Sequence, residues 1–131
     1  MKSSKGQSSI EFFTLVGLAF LTAIFFMTAS ANEAREFRDK KDFFLIKDVA
    51  LKLQKEATIA ASVEKGYARN FTLPDKLENF LDYSMTVGNT TITVNTSKTL
   101  VILAIPKVNG SFTKGSNKIE NLDGRVYVNR Q

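Results

Sequence analysis

Apolar and polar positions divide the chain into stretches with different rhythms. From Phe12 to Ala31 apolar residues run almost unbroken, with Phe12, Phe13, Phe20, Phe25 and Phe26 among them. Such a run predicts a helix that is apolar all round, as a lipid or a filament interior requires. Asn32 to Asp42 is almost wholly polar, with Glu36/Lys40, Arg35/Asp39 and Arg38/Asp42 spaced four apart. Pairs at that spacing add a few tenths of a kcal/mol each, so this stretch reads as a solvated neck. Ile46, Val49, Ala50, Leu53, Ala57 and Ala60 then mark one face at helical spacing and are expected to form core.

One helix accommodates all three stretches. Neither Gly nor Pro occurs from Leu18 to Lys65, so nothing interrupts it. Ser8 or Ser9 is placed to cap its start, with Glu11 in the first turn, and Gly66 is the expected left-handed stop. About 58 residues at 1.5 Å rise predict a length of roughly 87 Å. Gly17 offers close helix approach, although no small residue stands four positions away.

Beyond Gly66 the period changes to two. Tyr83, Met85 and Val87 alternate with Ser84 and Thr86; Gly88-Asn89-Thr90 supplies a turn; Ile92 and Val94 alternate with Thr91 and Thr93. This is the pattern of a β-hairpin. A second turn over Asn95 to Lys98 precedes Leu100 to Ile105, whose continuous apolar character predicts a central strand covered on both faces. Pro106 ends it. Val126 and Val128 predict a last strand and Ala68 to Leu73 a first one. The expected fold class is α+β: a long N-terminal α-helix, membrane-spanning in its first half and amphipathic in its second, packed on a small, mainly antiparallel β-sheet. A sheet of this size makes a weak core alone, and the amphipathic half of the helix supplies the missing layer.

Composition narrows the function classes. The 131 residues contain no Cys and no His, which removes disulfides, thiolate metal sites, the commonest general base and the imidazole ligand. The formal charge is +5, and no Lys/Arg cluster interleaved with aromatics suggests a nucleic-acid face. Asp75, Glu78 and Asp82 would share a face if Pro74 began a short helix, but Lys76 and polar neighbours make that a solvated surface. Gly110 and Gly115 lack phosphate-loop spacing and read as turns. The expectation is a protein with no catalytic residues, no cofactor and no metal.

The start of the chain carries the most specific pattern. A basic stub (Lys2, Lys5) precedes Gly6-Gln7-Ser8-Ser9-Ile10-Glu11, which opens the apolar run. The stub orients the segment with its N-terminus cytoplasmic and the rest outside. Lys5-Gly6 followed by Gln7, Ser9 and Glu11 resembles the class III signal peptide of archaeal type IV pilin-like proteins. In that family a Lys/Arg-Gly pair precedes the cut and Gln-x-Ser-x-Glu follows it. Two later segments, Val63 to Arg69 and Gly115 to Asn121 before Gly124, also look like small proteins of this family. Archaellins, by contrast, lack Gln-x-Ser-x-Glu at their mature start.

The resemblance implies a prepilin. A prepilin peptidase would cut between Gly6 and Gln7, leaving residues 1–6 as leader, 7–31 as membrane or filament-core helix, 32–65 as amphipathic extension and 66–131 as a β-rich head. Losing Lys2 and Lys5 takes two charges off the formal +5 and leaves +3. The new amino group of Gln7 would meet the Glu11 carboxylate of a neighbouring subunit, since a carboxylate at the edge of hydrocarbon is costly without a partner. The implied partners are the peptidase, other pilin subunits, a membrane assembly platform and, before assembly, membrane lipid. The implied location is the cell membrane, single-pass with the head outside, and then a surface filament with a structural or adhesive role.

Three other readings fit the same residues. Ala29-Ser30-Ala31 is an A-x-A site, and cleavage there would release a secreted domain starting at Asn32. The same leader also anchors some archaeal solute-binding proteins, although no pocket is visible in this sequence. A minor pilin or accessory subunit would share every feature of the major one.

Four N-glycosylation sequons lie after the apolar run: Asn70-Phe71-Thr72, Asn89-Thr90-Thr91, Asn95-Thr96-Ser97 and Asn109-Gly110-Ser111. At least three are expected in turns, on the outer side of the membrane, where glycans would solubilise a surface.

Overall fold

A computed structural model describes residues 4–78 and 80–130. The expected α+β architecture is present: among the described residues there are one long helix, α1 (Ser4–Ser62), and seven strands in two sheets. The strands are β1 (Ala68–Leu73), β2 (Ser84–Val87), β3 (Thr91–Asn95), β4 (Leu100–Ala104), β5 (Val108–Gly110), β6 (Gly115–Leu122) and β7 (Arg125–Val128). The chain divides into two compact units at Arg38/Asp39. The first is helical. The second holds the rest of α1 and both sheets.

In the second unit the stripe read from helical spacing is the core face. Ile46, Ala50, Leu53, Ala57 and Ala60 are fully buried and Val49 nearly so. They join Leu73, Ile92, Val94, Ile119 and Val128 in one apolar cluster. Small residues recur on this face because a helix backbone lies close to a sheet only where its side chains are short. Polar groups at the margins of that face tie α1 to both sheets. Lys52 Nζ donates to the carbonyl of Thr72 in β1 at 2.8 Å, and Gln54 Nε2 to that of Ala104 in β4 at 2.6 Å.

The expected hairpin forms, with Met85 opposite Val94 and Val87 opposite Ile92. The expectation for Leu100 to Ile105 is corrected. Its strand, β4, is the outer member of a three-stranded sheet ordered β2-β3-β4. Val101 and Ile105 face the core, whereas Leu100 and Ile102 remain 56% and 57% exposed. The alternation of a one-sided strand is real here but hidden, because the outward positions are apolar too.

The four-stranded sheet, ordered β1-β6-β7-β5, contains two strands that the hydrophobic pattern did not mark. In β6 the inward positions are Asn117, Ile119 and Asn121, all buried. Asn117 is accommodated because its Oδ1 accepts from the Thr113 amide at 2.8 Å and from Asn129 Nδ2 at 2.8 Å, while its Nδ2 donates to the Thr113 carbonyl at 2.6 Å. A buried amide so paired replaces the bonds it made to water. The short β5 pairs parallel with β7, and the other four strand pairings are antiparallel. Gly110 and Gly115, expected in turns, instead end β5 and begin β6. At Gly110, with φ of 107°, a Cβ would stand 2.1 Å from the Val128 carbonyl oxygen, so only glycine fits.

Both helix ends depart from expectation. The helix begins at Ser4, so Ser8 and Ser9 lie inside it and Glu11 falls in the second turn. It stops at Ser62, four residues before Gly66. Gly66 does have a positive φ of 91°, but it turns the chain into β1 without being the residue next to the helix.

Candidate functional site

The helical first unit has no core face. From Ser8 to Arg38 every side chain is exposed except Val16, which is half-buried. Ile10, Phe12, Phe13, Leu15, Leu18, Phe20 and Leu21 are each 64–72% exposed, and Phe25, Phe26 and Met27 similarly so. The segment is long and apolar enough to cross a membrane, and none of it is buried within the chain. Its three threonines are fitted to such a solvent. Thr14 Oγ1 donates to the Ile10 carbonyl at 2.9 Å, Thr22 Oγ1 to Leu18 at 2.8 Å and Thr28 Oγ1 to Phe25 at 2.9 Å. A hydroxyl that bonds its own helix needs no water, which lets it sit in hydrocarbon.

The residues of the leader pattern fall on the first two turns of α1. Lys5, Gly6, Gln7 and Ser9 are helical, and Glu11 is an exposed helical residue directly before Phe12. The leading N–H groups of a helix have no intrahelical partner, so its first turn frays readily. A peptide bond between Gly6 and Gln7 therefore lies in a turn of the helix that frays.

The carboxylates Asp75, Glu78 and Asp82 do not share a face. No helix begins at Pro74; a loop with a Leu77–Leu81 bridge takes its place. Glu78 pairs with Lys41 Nζ of α1 at 2.5 Å. Asp82 accepts from Lys114 Nζ, and that hydrogen bond, followed by the charge of Lys114, holds its carboxyl below the usual carboxylate range. In the neck, Asp39 pairs with Lys98 Nζ at 3.5 Å, joining α1 to the turn between β3 and β4. Glu56 is buried on α1, with Oε2 3.5 Å from Arg69 Nη1 and no hydrogen bond on that oxygen.

Of the four sequons, that of Asn89 lies in a turn and that of Asn95 enters one at Thr96, where three were expected in turns. Asn70 is an exposed position of β1, Asn95 is the last residue of β3, and Asn109 is the middle residue of β5. Asn95 and Asn109 are held differently. Asn109 is half-buried and its Nδ2 points at the Val126 carbonyl, 3.4 Å away. Asn95 is oriented through its oxygen alone: Oδ1 accepts from Ser84 Oγ at 2.7 Å. Beside it runs an open cleft of about 490 Å³, walled by Phe80 to Ser84 on one side and by Asn95 to Ser97 on the other.

A residue that pattern reading did not single out holds the two layers together. Asn121 Nδ2 donates to the carbonyls of Ala60 and Val63 at 2.8 and 3.1 Å, and its Oδ1 accepts from the Gly124 amide at 3.1 Å. Its backbone exchanges bonds with Gly66 and Tyr67. The only signal in the sequence is an Asn three residues before a Gly, which marks a turn and does not point to a distant helix end.

Comparison with protein families, with curated proteins and with solved structures finds no match for this chain.

Proposed function

We propose that this chain is a pilin-like structural subunit of a cell-surface filament, cut between Gly6 and Gln7 and held in the membrane by α1 until assembly. The observation that carries the reading is the exposed apolar surface from Ile10 to Met27, attached to a separately packed head and preceded by the Lys5-to-Glu11 pattern. A leader removed ahead of the apolar segment leaves that surface on the mature protein. It must then be covered, first by lipid and afterwards by the same segment of neighbouring subunits. The exchange is feasible because packing between helices replaces lipid contacts of similar character. Glu11 gives the exchange direction: its carboxylate is costly at the hydrocarbon edge and is relieved by the amino group of Gln7 on a neighbour. The partners are a prepilin peptidase, further pilin subunits and an assembly platform.

Shearing cells and imaging the released material tests this. The chain is expected in filaments, and Glu11→Ala is expected to be processed yet to stay in membranes. A chain confined to membranes in filament-bearing cells, with none in sheared material, contradicts the reading.

A further inference from the structure

We propose that Asn95 is an N-glycosylation site of the head and that its glycan covers the apolar stripe formed by Leu100 and Ile102. The inference takes from the proposed function only that the head lies outside the membrane. It rests on three observations around one residue.

The first is the state of the side chain that would react. Transfer of a glycan substitutes at the amide nitrogen. Nδ2 of the asparagine bonds to the anomeric carbon of a sugar carried on a polyprenyl phosphate. The bond from that carbon to the phosphate oxygen breaks, the lipid phosphate leaves with the electron pair, and the amide gives up one proton. The nitrogen must therefore be open while the side chain is held. At Asn95 the Ser84 hydroxyl holds Oδ1, and Nδ2 makes no hydrogen bond among the described residues. The oxygen remains an acceptor after transfer, so the Ser84 bond survives modification. Asn95 and Asn109 are both half-buried, but at Asn109 the nitrogen itself is engaged, with Gly110 packed on Val128 behind it.

The second is the rest of the sequon. The hydroxyl two residues on, Ser97, is exposed in the turn after β3. The neighbouring Thr96 fixes that turn, its Oγ1 accepting from the amides of Lys98 and Thr99. The sequon at Asn70 also begins in a strand, with Asn70 exposed and opposite Lys118, but its hydroxyl residue Thr72 stays in the ladder opposite Ser116, whereas Ser97 has left it.

The third is what surrounds the nitrogen. Asn95 stands opposite Leu100 across the β3–β4 ladder, and Thr93 stands opposite Ile102. Leu100 and Ile102 thus share the outer face with Asn95 and are more than half exposed. On its other side the cleft leads to Phe80, which is 63% exposed. Sugar rings present C–H faces that pack on aliphatic and aromatic side chains while their hydroxyls stay in water. A glycan rooted at Asn95 therefore has apolar surface to cover on both flanks, and its polar rim replaces that surface in contact with solvent.

The test uses the full chain isolated in detergent from the cells that make it. Tryptic peptide Leu77–Lys98 carries both Asn89 and Asn95, so sites are resolved by electron-transfer fragmentation. The expected result is a glycan on Asn95, with Asn95→Gln losing one glycan mass. Ser97→Ala, which leaves Asn95 in place, is expected to lose the same mass. Hydroxyl-radical labelling of Leu100 and Ile102 is expected to be roughly halved in the glycosylated protein relative to Asn95→Gln, as the reaction follows accessible side-chain area. A glycan on Asn70 or Asn89 without one on Asn95 overturns the inference while leaving the outward topology intact. Absence of glycan from every sequon, or equal labelling of Leu100 and Ile102 in both proteins, overturns it too. The N-terminal residue of the same sample reads processing separately.

Discussion

Asn121 Nδ2 lies 2.8 Å from the carbonyl oxygen of Ala60, a hydrogen bond spanning 61 residues of sequence between the end of β6 and the last turn of α1. Helices leave their final carbonyls without intrahelical donors, and most satisfy them with a glycine turn or water. Here a strand side chain does so from within the core and serves the Val63 carbonyl as well. The same contact fixes where the helix ends and how it meets the sheet.

Asn121→Ala is therefore expected to destabilise the head by on the order of 2 kcal/mol, since the buried Ala60 carbonyl and the half-buried Val63 carbonyl and Gly124 amide lose their partner at once. The measurement is urea unfolding of residues 39–131, the unit with its own core. That fragment is itself expected to unfold in one cooperative transition. A change within about 0.5 kcal/mol would show that water replaces the side chain at no cost.

Glu56 and Arg69 give a second test. The carboxylate is buried, while the guanidinium is half exposed and 3.5 Å away without a hydrogen bond. Removing the cation leaves a buried charge with weak compensation, so Arg69→Ala is expected to cost about 1–2 kcal/mol, discounted from the fully buried case because water screens the site. Glu56→Gln is expected to cost less than Arg69→Ala. The opposite ranking in unfolding experiments would mean that the carboxylate does more than face its partner.

Tyr83 predicts the alkaline limit of the head. Its hydroxyl donates to the Pro74 carbonyl at 2.5 Å, and burial, followed by the charges of Asp75 and Asp82, raises its pKa above the ordinary 10.0. A folded value above the unfolded one means this contribution is intact below pH 10.0 and is lost as pH rises through the folded value. Tyr83→Phe is expected to lower stability by about 1 kcal/mol at neutral pH, through the lost hydrogen bond, and to show a shallower decline above that pH. Parallel pH profiles of the two proteins would contradict the assignment.

The two faces of β4 and its neighbour β3 should respond oppositely. Ile92→Ala, at a fully buried position, is expected to cost about 2–5 kcal/mol. Ile102→Thr, at a position more than half exposed, is expected to stay within about 0.5 kcal/mol in the unglycosylated fragment.

Much of this architecture was legible in the sequence, for identifiable reasons. The α1 stripe from Ile46 to Ala60 and the hairpin around Asn89 have apolar residues at nearly every core position, Glu56 being the exception, so periodicity reported both. The β4 strand deceived because Leu100 and Ile102 are apolar on the outward face as well. The β6 strand was invisible because two of its inward positions, Asn117 and Asn121, are polar and satisfied by partners in the flanking turns or distant in sequence. Hydrophobic rhythm measures burial only when burial is apolar. The division of the head into two sheets follows from pairings such as β5 with β7, which no local pattern encodes. For the candidate site, the leader residues and sequons were readable as motifs. What distinguishes Asn95 from Asn109 is the hydrogen bonding of one amide, which only the fold supplies.

The account stands most directly on the first residue of the mature protein. Mass spectrometry of the N-terminal peptide, taken separately from sheared surface material and from membranes, reads it. The predicted result is a chain beginning at Gln7 in both fractions, with Phe12 to Ala31 retained. A chain beginning at Asn32, or an intact Met1 in the surface material, would contradict it.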